Sequence, residues 1–112
     1  MQRGEVYQAS LDPTAGSEQG GKRPVLIVSR NAINVNAPIV IVVPLTSREN
    51  KRRLYPTHVE LTAGEAGLAK DSVVLCEQVR AISKDRLTKK IGQVSSQRMP
   101  SVDAALRISM DL

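Results

Sequence analysis

A chain of 112 residues is long enough for one domain, and its formal net charge of +5 suits either a polyanion such as nucleic acid or a plain soluble surface. Two tyrosines, Tyr7 and Tyr55, are the only aromatic side chains, which excludes recognition by a ladder of stacked bases; one cysteine excludes an intrachain disulfide. No stretch approaches the ~18 apolar residues of a membrane span, and Met1 to Glu5 lacks the apolar core of a secretory signal, so the expected location is cytoplasmic. The charge is uneven. Residues 1–56 hold eight Lys/Arg against four Asp/Glu, whereas residues 57–112 hold eight against seven.

Gly4 to Ala9, with Val6 and Tyr7, reads as a first strand. Asp12 to Gly21 is a loop punctuated by Pro13 and three glycines. Pro24 to Val28 and Ile39 to Val43 are short apolar, β-branched runs, better strands than helices. Between them Asn31 to Pro38 is a connection with three asparagines as turn formers, and Pro44 ends the third strand or sits at an edge. Ser47 to Tyr55 is a charged loop carrying Arg48, Lys51, Arg52 and Arg53. Thr57 to Leu61 alternates with period two, Thr57, Val59 and Leu61 on one face and His58 and Glu60 on the other. Gly64 and Gly67 mark a turn before a strand over Ser72 to Val79. Ala81-Ile82 and Leu87 to Val94 supply the last strand segments, with Ser83 to Arg86 turning between them.

After Ser96 the period changes. Met99, Val102, Leu106 and Met110 are spaced by three, four and four, one stripe of a helix that Ser95 or Ser96 can cap and Pro100 can open. The stripe packs on the sheet or on a partner subunit. The resulting class is α+β, mostly β: one domain over residues 1–112, built as a small, strongly bent antiparallel sheet with a C-terminal helix. Periodicity leaves barrel and open sheet undecided.

Several side chains have the chemistry for a site. Arg23 stands between the glycine-rich loop and the second strand. Its guanidinium is a rigid fork matched to phosphate, or else a strand-end partner for Glu18 or Glu77. Thr46 ends the third strand, where its hydroxyl either meets a ligand or bonds to backbone. Ser17, Gln19, Ser47 and Gln78 carry hydroxyl or amide groups near the same strand ends, for recognition or for plain solvation; Glu18 in the loop reads as an RNA contact, a proton acceptor or a solvated carboxylate, and the general base stays unassigned. Arg48, Lys51, Arg52 and Arg53 read as a phosphate groove or a solvated loop. His58, the single histidine, rules out a two-histidine acid–base scheme and reads as a hydrogen-bonded strand residue. Cys76 follows Val73-Val74-Leu75 and reads as a small buried hydrophobe. One Cys, one His and no clustered carboxylates give no metal-ligand spacing, and no cofactor motif is present.

The run Gly16-Ser17-Glu18-Gln19-Gly20-Gly21-Lys22-Arg23-Pro24 resembles the signature of the MazF/PemK family of toxin endoribonucleases. Arg3-Gly4-Glu5-Val6-Tyr7, Leu11-Asp12-Pro13-Thr14, Pro44-Leu45-Thr46-Ser47, Pro56 to Leu61 and Asp71 to Arg80 match further blocks in order along the chain. The resemblance implies an SH3-like barrel, usually as a homodimer. It implies a metal-independent, sequence-specific cut in single-stranded RNA by attack of the 2′-OH, with Arg23 and Thr46 as catalytic residues. A cognate antitoxin with an acidic, partly disordered tail is the implied protein partner. Two competing functions are a non-catalytic toxin of the same fold that poisons a protein target such as DNA gyrase, and a plain RNA-binding barrel. Tyr55 departs from the family pattern, which runs lysine-leucine before Pro56-Thr57, so base specificity does not carry over.

Overall fold

A computed structural model describes residues 1–112. Its central element is β3 (Ile39–Ser47), the longest strand. On one edge β3 pairs with β2 (Lys22–Ile27); on the other it pairs first with β6 (Arg80–Ser83) and then with β5 (Ser72–Leu75). β1 (Glu5–Ser10) lies outside β2, β7 (Leu87–Gln93) outside β1, and β4 (His58–Leu61) outside β5. All pairs are antiparallel, in the order β4-β5-β3-β2-β1-β7, with β6 beside β3.

The third strand runs past Pro44 to Ser47, longer than the sequence suggests. The carbonyl of Ile41 faces the β2 side, where Val28 N–H donates to it at 2.9 Å, so by alternation the nitrogen of Pro44 faces the other edge. On that edge Arg80 pairs with Val42 and Val74 with Leu45. Pro44 falls in the gap between them and loses no ladder bond.

β2 is apolar on both faces, which is why its run reads as continuous. Leu26 enters a core cluster with Val43, Leu45, Val74 and the C-terminal helix, α2 (Met99–Met110); Val25 and Ile27 enter a second cluster with Leu11, Val40 and Ile82. β4 and β7 do not pair, so hydrogen bonds do not close the sheet. The turn at Glu65–Gly67 spans the gap instead. A β-carbon on Gly67 would lie 2.2 Å from the Ile91 carbonyl oxygen, and one on Gly92 would lie 2.3 Å from that of Ala66, so both positions require glycine.

Three further elements differ from expectation. The Asn31 to Pro38 connection holds a short helix, α1 (Asn31–Asn36), with Asn34 buried and its amide donating to the Ser29 carbonyl at 2.8 Å. The strand from Ser72 stops at Leu75, and a 3-10 turn at Cys76–Gln78 follows. In α2 Val102, Ala105 and Leu106 are buried, but Met110 is 48% exposed, so the stripe faces the core only through about its first two turns. Pro100 sits in the first turn, as the sequence suggests, but the cap position falls on Arg98, which makes no side-chain cap bond; the Ser95 hydroxyl accepts from Arg98 N–H at 3.2 Å in the turn before the helix.

Candidate active site

The site forms where β2 leaves β3. Their register pairs Val25 with Pro44; continued one step it sets Pro24 opposite Leu45, and a second step sets Arg23 opposite Thr46. Pro24 has no N–H to offer the Leu45 carbonyl, so the ladder stops. The Arg23 guanidinium takes that carbonyl instead, Nη1 at 3.4 Å, while its Nε donates to the Gly20 carbonyl at 2.8 Å. Beyond this point Arg23 and Lys22 follow β1, pairing with Ala9 and Ser10, and Thr46 and Ser47 follow β5, pairing with Val73 and Ser72. The strands splay and leave a cleft of about 380 Å³.

Lys22, Arg23, Thr46, Ser47, Asn50, Lys70 and Ser72 supply its polar wall, and no carboxylate is among them. Thr46 is only 6% exposed, and its hydroxyl oxygen accepts from the Asn50 amide at 3.0 Å. Lys70 reaches Glu49 at 3.9 Å with both side chains largely in solvent, an ion pair of little weight. Positive groups around the buried Thr46 hydroxyl suit an anionic group with several oxygens; the cleft's other buried hydroxyl, that of Ser72, already donates to the Lys70 carbonyl at 2.9 Å.

A second pocket, also about 380 Å³, lies on the other side of the loop. Ser17, Glu18, Gln19, Glu77, Gln78 and Arg80 line it. The turn at Cys76–Gln78 builds its floor, which is why the early end of β5 matters. Gln19 N–H donates to the Gln78 side-chain carbonyl at 2.8 Å and ties the loop to that turn. The Glu18 carboxylate accepts from Ala15 N–H at 2.6 Å, so it closes its own loop.

Not every candidate joins these pockets. Arg48 pairs with Glu60 at 3.2 Å and its guanidinium also donates to the Lys51 carbonyl; it holds the 3-10 turn Arg48–Asn50 rather than lining the cleft. Lys51 is half-buried and lines neither pocket, and Arg52 and Arg53 are exposed. The His58 side chain is 4% exposed, with Nδ1 accepting from Tyr55 N–H and Nε2 meeting Glu77 Oε2, each at 3.2 Å. The Tyr55 ring stands edge-on to it at 5.5 Å. His58 therefore fixes the back of the second pocket. Cys76 is fully buried, and burial, with the charge of Glu77 added, pushes its thiol up to about 12, so it carries no thiolate chemistry. No group of three or more His, Cys, Asp or Glu side chains comes together to hold a metal.

Lys22, Asn50 and Lys70 belong to the cleft and were not singled out by the sequence. Lys22 is adjacent to Arg23, at the same junction of loop and strand. Lys70 arrives from the distant β4–β5 connection, which no local pattern reveals.

The chain belongs to a family described as the PemK-like, MazF-like toxins of type II toxin–antitoxin systems, which matches residues 2–110. It is 47% identical over 112 residues to the endoribonuclease EndoA of Bacillus subtilis, covering 100% of this chain and 96% of that one. It is 46% identical over 112 residues to the endoribonuclease MazF of Staphylococcus saprophyticus, covering 100% and 92%. Among solved structures it superposes with a TM-score of 0.83 and 30% identity on a mycobacterial endoribonuclease in complex with its cognate antitoxin, covering 100% and 96%. The bent sheet with its C-terminal helix is thus the fold of these proteins.

Proposed function

We propose that this protein is the toxin of a type II toxin–antitoxin pair and an endoribonuclease that cuts single-stranded RNA at preferred sequences. One observation carries the reading: a guanidinium and a buried hydroxyl from two diverging strands meet in a cationic cleft lined by no carboxylate. Family membership and the names of the relatives at 46–47% identity support it.

RNA carries its own nucleophile. The 2′-oxygen loses its proton and bonds to the neighbouring phosphorus; the bond from phosphorus to the 5′-oxygen breaks, and that oxygen gains a proton. The products are a 2′,3′-cyclic phosphate, or the 3′-phosphate after hydrolysis, and a 5′-OH. Arg23 faces the charge that builds on the phosphorane and the departing oxygen, at full strength because it is already in place. Thr46 donates to a non-bridging oxygen and fixes the phosphate's orientation. No imidazole or carboxylate lines the cleft, so in this reading the 2′ proton passes to solvent. Lys22 and Lys70 hold flanking phosphates. Ser17, Glu18, Gln19 and Gln78 read base edges in the second pocket, and Ser47 contacts the RNA backbone in the first. Arg48 and Lys51 support RNA binding through the turn they hold.

The working form is a single-domain chain, cytoplasmic and paired as a homodimer, silenced by an antitoxin whose acidic tail covers the basic cleft. The test is incubation of the pure protein with a mixed single-stranded RNA in EDTA, followed by analysis of the product ends. Defined cuts that leave 5′-OH ends are expected. Binding without cuts would mark a plain RNA-binding protein, and neither binding nor cutting would point to a protein target.

A further inference from the structure

We propose that Asn50 is a positioning residue for RNA cleavage, donating to Thr46 so that the threonine's own proton is left for the scissile phosphate; the inference rests on the nuclease reading above. A threonine hydroxyl has one proton to give and two lone pairs to fill. At a strand end it commonly donates that proton to nearby backbone, which would remove it from any chemistry. Here it does not. Thr46 Oγ1 accepts from Asn50 Nδ2 at 3.0 Å, and no hydrogen bond in the protein has the Thr46 hydroxyl as donor. The residue is 6% exposed, and the open direction of its hydroxyl is the cleft that Arg23, Lys22 and Lys70 surround.

The surrounding turn exists to bring that amide into reach. Asn50 closes the 3-10 turn Arg48–Asn50, four residues beyond Thr46. Arg48 N–H donates to the Asp71 carbonyl at 2.8 Å and Lys51 N–H to the Arg48 carbonyl at 3.0 Å. The Arg48 guanidinium holds the Lys51 carbonyl and Glu60. This accounts for an arginine that the sequence offers as an RNA ligand and the fold spends on a turn. Asn50 itself is exposed and its side chain hydrogen-bonds only Thr46, so its replacement leaves the fold intact.

Polarity is the testable point. Alanine removes the amide and lets the hydroxyl rotate. Aspartate has the same shape but only accepts, so it captures the proton that the phosphate needs. Single-turnover cleavage of one single-stranded RNA in EDTA by the wild type, N50A, N50D, T46A and T46A/N50A reads this directly, with RNA affinity and melting temperature measured alongside. N50A should cut about tenfold more slowly with affinity within about twofold, the scale of one hydrogen bond. N50D should lose about a hundredfold, the scale of a missing transition-state donor. In the T46A background N50A should change nothing. N50D as fast as N50A, N50A as fast as the wild type, or an N50A loss that persists without Thr46 would each overturn the Asn50 role while the nuclease reading stands. A wild type that does not cut overturns both.

Discussion

Two pockets of about 380 Å³ each flank the loop that ends at Arg23, and they are built for different work. The one at the β2–β3 fork has three cationic side chains, a buried hydroxyl and no acid. The one over the Cys76–Gln78 turn has two glutamates against Arg80, with Gln19 and Gln78 presenting amides. A phosphate fits the first and is repelled by much of the second. Base edges, which carry donors and acceptors but no charge, fit the second. On the proposed function, chemistry and recognition are separated by one loop, and the loop is tied to both sides: Arg23 holds the Gly20 carbonyl, and Gln78 holds Gln19.

Substitutions in the two pockets should therefore fail differently. R23A should lower the cleavage rate about 10³-fold and T46A about 10²-fold, with RNA affinity nearly kept; single-turnover rates and a binding titration check this. Q78A should act the other way: about tenfold weaker discrimination among RNA sequences, with the rate on a good substrate within about threefold, read by mapping cuts across a mixed RNA. K22A/K70A should flatten the dependence of RNA affinity on salt, by about 0.7 in the logarithmic slope for each phosphate that is no longer neutralised.

A change far from both pockets serves as the control. Glu5 is buried, which alone would raise its pKa; hydrogen bonds from Lys90, Gln2 N–H and Tyr7 outweigh burial and hold it below the ordinary 4.5. A depressed carboxyl pKa adds stability above the unfolded value that is lost as pH falls through the folded one. E5Q should cost about 1–3 kcal/mol at pH 7 and remove that component of the acid sensitivity below about pH 4.5, while cleavage per folded molecule is unchanged. Chemical denaturation at pH 7 and pH 3.5 tests this.

Much of this arrangement is legible along the chain. Short β-branched runs, the alternation of Thr57 to Leu61 and the helical stripe after Ser96 describe the elements, because each depends on local periodicity. Arg23 and Thr46 both sit where an apolar strand meets a polar segment, but that placement alone leaves an ordinary strand-end role open to each, and it is the resemblance to the MazF/PemK family that singles them out. The missing parts depend on distance. Arg48 looks like a free cation until Glu60 reaches it from β4, and Lys70 looks like a surface residue until the β4–β5 connection folds over the fork. The helix at Asn31–Asn36 was hidden because asparagine signals turns, and here Asn34 is buried with its amide bound to Ser29 and Asn31.

Cleavage rates of R23A, T46A and the R23A/T46A double variant on one RNA ask whether the guanidinium and the hydroxyl serve a single phosphate. If they do, the double variant should be only slightly slower than R23A, because the second loss falls on a transition state already out of place. A double variant slowed by the full product of the two single losses would mean that the residues act independently, and the shared cleft would not be where the RNA is cut.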